Sequence, residues 1–101
     1  SDDELSKILG SWEFSAPRAG NRYHKGELLF TNQNDGLKGE VRFGDQLILM
    51  RNLVYEIVKV RAYIMVSGAQ IDLYIKFQKD SFAGTVSNPR GYIRVLGVKK
   101  Q

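Results

Sequence analysis

The sequence contains no cysteine. Disulfides and thiolate metal sites are therefore excluded, and cysteine usage carries no information about compartment. Its single histidine, His24, cannot build a His-rich metal site, so neither a metal nor a cofactor is expected. No apolar run approaches the roughly 20 residues that a membrane-spanning helix needs. There is no signal-peptide pattern, and "SDDEL" reads as a trimmed start, which leaves open an export signal ahead of it. Prolines number two against ten glycines, and tryptophan occurs once. What remains is ordinary for a folded chain. With 43% hydrophobic and 11% aromatic residues, 101 residues suit one globular domain covering 1–101. The formal charge of +4 permits an anionic partner without requiring one, and solubilising surface charge explains it equally well.

Only the start has helical spacing. In "SDDELSKIL", Asp2 or Asp3 is placed to cap a turn, and Leu5, Ile8 and Leu9 share one face. After Gly10 the period becomes two, and eight strands are expected. The first covers 8–14, with Ile8, Gly10, Trp12 and Phe14 on one face. A long loop, "SAPRAGNRYHK", leads to a second strand over 26–32, and Asp35-Gly36 turns into "LKGEVRF". The stretch 46–66 holds neither Gly nor Pro. It is read as one bent strand over 46–55 and another over 59–66, with Arg51-Asn52 as a bulge or turn and a turn within 56–58. "IDLYIKF" alternates cleanly, and strands over 81–87 and 91–98 follow.

"DGLKGEV" and "DSFAGTV" share Asp-x-apolar-x-Gly-x-Val. In both, the glycine falls on the apolar face, which weakens a strand unless another group needs the room. A tightly coiled small barrel needs that room. Short connections imply a meander, and joining the first strand to the last removes exposed edges. The expected fold is all-β, an eight-stranded antiparallel up-and-down barrel with a short N-terminal helical turn.

Gly10-Ser11-Trp12, at the start of the first strand after a helical turn, resembles the Gly-x-Trp signature of the calycin barrels, the lipocalin and streptavidin-like group. The tail "DSFAGTVSNPRGYIRVLGVKK" is similar to small lipocalin-like domains of exported bacterial proteins. The resemblance implies that Trp12 plugs the closed end, packed against an Arg of the last strand, here Arg94. It also implies a periplasmic, cell-surface or secreted setting. The chain is shorter than typical lipocalins and lacks their C-terminal helix, so a packed interior is expected rather than a large cavity.

Up-and-down order sorts the loops into two ends, and loops on a rigid scaffold are where binding concentrates. The long loop and the later turns bring Arg18, Arg22, Tyr23, His24, Asp45, Gln70, Asn88 and Arg90 to one rim. Of these, Arg18, Arg22, Tyr23, His24 and Arg90 are the candidate ligand-binding residues. Arg offers bidentate donors and Tyr an amphipathic face, which suits a small anionic ligand, a glycan or a partner protein. The carboxylates Asp35 and Asp80 fall at the far end. A further reversal at Arg51-Asn52 would send Arg90 there too.

Catalysis is not expected. Ser15 or Ser87 with His24 and Asp45 form no recognised nucleophile motif. Glu40, Glu56, Asp72 and Asp80 fall on polar faces or turns, which leaves no inward carboxylate pair. Outward Tyr63, Tyr74 and Tyr92 lie among Lys59, Arg61, Lys76 and Arg94, an alternative surface for nucleic acid or protein. Interleaved Glu40, Glu56 and Asp72 weigh against nucleic acid. The expected core comprises Trp12, Phe30, Val41, Ile64, Leu73, Ile75, Phe82 and Ile93, with Lys38, Glu40, Arg42, Arg61, Asp72 and Lys76 exposed.

Overall fold

Apolar side chains at every second position give each strand one face to bury, and neighbouring strands satisfy its backbone. The computed structural model describes residues 5–34 and 36–100, so the capping roles of Asp2 and Asp3 and the position of Asp35 lie outside the described residues. Nine strands form one antiparallel sheet: β1 (Gly10–Ser15), β2 (Lys25–Gln33), β3 (Gly36–Phe43), β4 (Gln46–Leu49), β5 (Arg51–Glu56), β6 (Lys59–Val66), β7 (Ala69–Gln78), β8 (Ser81–Asn88) and β9 (Gly91–Lys99). A short 3-10 helix, Pro17–Ala19, interrupts the connection from β1 to β2. Residues 5–6 are helical and 7–8 form a turn, with the Ile8 N–H donating to the Leu5 carbonyl at 3.1 Å.

The strand order is β4-β3-β2-β1-β9-β8-β7-β6-β5. β1 pairs with both β2 and β9, the expected junction of first and last strands. The two ends of that order, β4 and β5, are consecutive in the chain and meet at Met50, so the ring is completed through the covalent backbone. This is how nine strands replace the expected eight. The first half of the bent strand pairs with β3 and the second half with β6, and the ladder breaks between them. Asn52 adopts a left-handed φ of 51° where the β5–β6 register shifts, which makes Arg51-Asn52 a bulge rather than a reversal. The chain turns only at Ile57-Val58, and Arg90 therefore stays at the mouth with Arg18.

The core is continuous from the N-terminal turn into the barrel. Trp12 is fully buried and meets Phe77 and Phe82 edge-on, with centroids 4.9 and 5.9 Å away. Arg94 does not pack on it. Arg94 is outward-facing and exposed opposite Thr85, whereas Lys99 pairs with Trp12 in register and sets its ammonium 5.6 Å from the ring centroid. Of the expected core, Ile93 is half-buried, and Lys38 and Glu40 are half-buried rather than exposed. The glycines at 39 and 84 leave the expected room. A Cβ on Gly39 would strike Met50 Sδ, and one on Gly84 would strike the Tyr74 backbone.

Candidate functional site

The two ends of the barrel differ because the large aromatics are unevenly distributed. Trp12, Phe30, Phe77 and Phe82 fill the end beneath the N-terminal turn. Toward the other end the inward positions carry mostly Ile, Val and Leu. A cavity of about 490 Å³ results, open at the mouth. The expectation of a packed interior is thus corrected: the closed end is packed and the mouth is hollow. A barrel of about eight strands is wide enough either to be filled by side chains or to hold one small ligand, and here the two ends take one outcome each.

Val41, Ile64, Leu73, Ile75 and Val95 form the buried wall of the cavity, and Phe14 and Phe43 line one side. Its polar groups are few and lie around the opening: Arg18 and Tyr23 from the β1–β2 connection, and Ser87, Asn88, Arg90 and Tyr92 from the β8–β9 hairpin. No Asp or Glu among the described residues lines it. Among the described residues, the charges at the cavity are therefore two guanidinium groups.

The loop bearing Arg18 and Tyr23 is held by its own backbone. The Ala16 N–H donates to the His24 carbonyl at 2.7 Å and closes the loop at its base. Ala19 N–H donates to the Ala16 carbonyl at 2.9 Å, and Pro17 starts the intervening helix with φ already set. Tyr23 stands edge-on to Phe43 at 4.9 Å, and Phe43 stands edge-on to Phe14 at 5.6 Å, which ties the loop to the cavity wall. On the opposite hairpin, Asn88 Oδ1 accepts the Arg90 N–H at 2.8 Å and shapes the turn that presents Arg90.

Of the five candidate binding residues, Arg18, Tyr23 and Arg90 line the cavity. Arg22 is exposed on the outer part of the loop. His24 is turned onto the loop itself, with Nδ1–H donating to the Asn21 carbonyl at 2.9 Å and lying 3.2 Å from that of Gly20. Among the described residues no hydrogen bond joins His24 to Ser15, Ser87 or Asp45. Nor do any three of His, Cys, Asp and Glu there form a group that could hold a metal ion. No described helix is long and apolar enough to cross a membrane.

The apolar wall residues of the cavity were missed as functional residues. They have the same alternating pattern as core positions, and only the scarcity of inward aromatics in the mouth half signals a hollow. No protein-family model, curated protein or solved structure matches this chain.

Proposed function

We propose that this chain is a non-enzymatic binding protein that takes a small amphipathic anion into the mouth of its barrel. The apolar body of the ligand occupies the cavity, and its carboxylate, sulfate or phosphate head lies at Arg18 and Arg90. One observation carries this reading: a cavity walled by aliphatic and aromatic side chains has two arginines at its opening and, among the described residues, no acid. A volume of about 490 Å³ falls within the range of small-molecule sites. An apolar body supplies affinity by leaving water, and the guanidinium pair selects the sign of the head. The internally bonded β1–β2 loop holds Arg18 before a ligand arrives, which lowers the ordering cost. The calycin resemblance of Gly10-Ser11-Trp12 favours a ligand within the barrel, in an exported setting.

The test is a calorimetric and NMR titration with ligands that share one alkyl body: decanoate, decyl sulfate, neutral decanol and a decyl ammonium. The anions should bind most tightly and the cation least. Amide shifts should cluster at residues 15–25 and 88–91 and on the inner faces of β3 and β6. Binding independent of head-group charge, or confined to polar glycans at the rim with the cavity undisturbed, would refute the reading.

A further inference from the structure

The outer wall of the barrel divides electrically into two halves. On the half made by β1–β4, acids and bases alternate and some are joined: Glu27 accepts from Lys100 at 2.6 Å and from Arg42 at 3.4 Å. The outward positions of β5–β9 carry five cations, Arg51, Lys59, Arg61, Lys76 and Arg94, against two acids, Glu56 and Asp72. No ion pair among the described residues neutralises any of those five. The same half carries the outward tyrosines: Tyr63, Tyr74 at 42% exposure and Tyr92 at 72%.

Strand register arranges these groups in rows. The central row runs Val54, Arg61, Tyr74, Thr85, Arg94. Toward the closed end the next row holds Lys59 and Lys76 side by side. Toward the mouth the next holds Arg51, Tyr63, Asp72, Ser87 and Tyr92. Tyr74 thus lies between two arginines about 14 Å apart, at roughly 4.8 Å per strand. The acids that dilute the basic character in linear sequence are displaced in the fold. Glu40 is on β3, on the other half of the wall. Glu56 sits at the end of β5 opposite Lys59, and Asp72 lies in the mouth-side row, accepting a hydrogen bond from Gln70 at 3.0 Å. The central row contains no acid.

We infer that the outer face of β6–β9 is a platform for single-stranded nucleic acid. Exposed phenol rings stack on unpaired bases, and the flanking guanidinium and ammonium groups neutralise phosphates. Thr85 and Ser87 add neutral hydroxyl donors within the same face. A duplex is disfavoured because the face is a sheet wall with no helix or ribbon to enter a groove, and paired bases offer no ring faces to stack on. Ser87 and Tyr92 border the cavity mouth as well, but the central row of Arg61, Tyr74, Thr85 and Arg94 lies outside it, so the inference does not rest on the amphiphile proposed there.

Fluorescence anisotropy with a labelled oligothymidylate of about 12 nucleotides tests it, a length that suits one small domain. Saturable binding is expected, with log K falling against log salt at a slope of about −2 to −3, as for three or four neutralised phosphates. Tyr74→Ala should weaken binding at least about fivefold while Tyr74→Phe preserves it, because the ring face stacks and the hydroxyl does not. Arg61→Glu with Arg94→Glu should abolish binding with an unchanged melting temperature, since both side chains are outward and exposed. Four results would each overturn the inference. They are absence of binding at low salt, equal affinity for duplex of the same length, indifference to Tyr74→Ala with equal competition by polyglutamate, and loss of binding only on Arg18→Ala with Arg90→Ala. The third would identify an interface for acidic protein.

Discussion

Trp12 donates its indole N–H to the main-chain carbonyl of Ile8 at 2.9 Å, so the only tryptophan both fills the closed end and ties down the turn that covers it. Both residues are fully buried. Trp12→Ala should cost about 3–5 kcal/mol in urea denaturation, through the cavity left among Phe30, Phe77 and Phe82 and the orphaned carbonyl. Trp12→Phe should recover part of that loss, because the ring contacts return without the hydrogen bond. A loss below about 1 kcal/mol for the alanine variant would show that the closed end is not packed as described.

Ile57 and Val58 occupy both central positions of the two-residue turn between β5 and β6, at φ of 30° and 58°. β-branched residues resist that left-handed region, and Asn-Gly suits it. The turn persists because Phe77 N–H donates to the Val58 carbonyl at 2.7 Å and Met50 holds the preceding strand in the wall. Ile57→Asn with Val58→Gly should raise stability by about 1 kcal/mol or slightly more, seen as a higher denaturation midpoint with unchanged slope.

Gly39 and Gly84 should respond differently to alanine. At Gly84 the added methyl meets the Tyr74 backbone, which cannot swing aside. At Gly39 it meets chiefly the sulfur of Met50, near the end of a flexible side chain. Gly84→Ala should exceed the usual overpacking cost of about 1–3 kcal/mol, and Gly39→Ala should fall within it. Met50→Ala should partly relieve Gly39→Ala and leave Gly84→Ala unrelieved, a difference that a double-mutant cycle reads directly.

Arg18→Ala and Arg90→Ala should each weaken binding of an anionic amphiphile such as decyl sulfate about fivefold, and together by more, while decanol binding stays within about twofold. Salt should reduce the difference between the two ligands, since exposed charges are screened over roughly 10 Å at 0.1 M. His24→Ala should act otherwise. Its ring bonds the loop backbone, so the expected readout is faster amide exchange over residues 16–24.

The hydrogen bond from Lys100 holds the Glu27 carboxyl below its ordinary value of 4.5, burial opposes that shift, and the charges of Lys100 and Arg42 add to it. A lowered folded-state pKa gives stability that is present above pH 4.5 and lost as pH falls through the folded value. Glu27→Gln should therefore flatten the stability profile on the acid side of pH 4.5, by a small and salt-sensitive amount because the pair is exposed. Lys100, held above its ordinary 10.5 by the same hydrogen bond, gives the mirror effect, full below pH 10.5 and lost as pH rises through its folded value.

Period-two alternation is a local property, so the all-β class, most strand positions, the inward glycines at 39 and 84 and the burial of Trp12 were all legible in the sequence. The sorting of loops was legible too, since hairpin order alone decides which turns share an end, and it placed Arg18, Tyr23 and Arg90 together. Three matters were not. The division of the bent strand at Met50 depends on which neighbour each half can reach, and that is set only when β3 and β6 approach each other. Ile57-Val58 carries no turn chemistry, and its reversal is imposed by the bond from Phe77. The hollow mouth depends on how the closed ring divides its side chains, with Trp12, Phe77 and Phe82 gathered at one end and mostly aliphatic groups around the cavity at the other. Alternation says that a side chain points inward. Only the closed ring determines whether it finds something to touch.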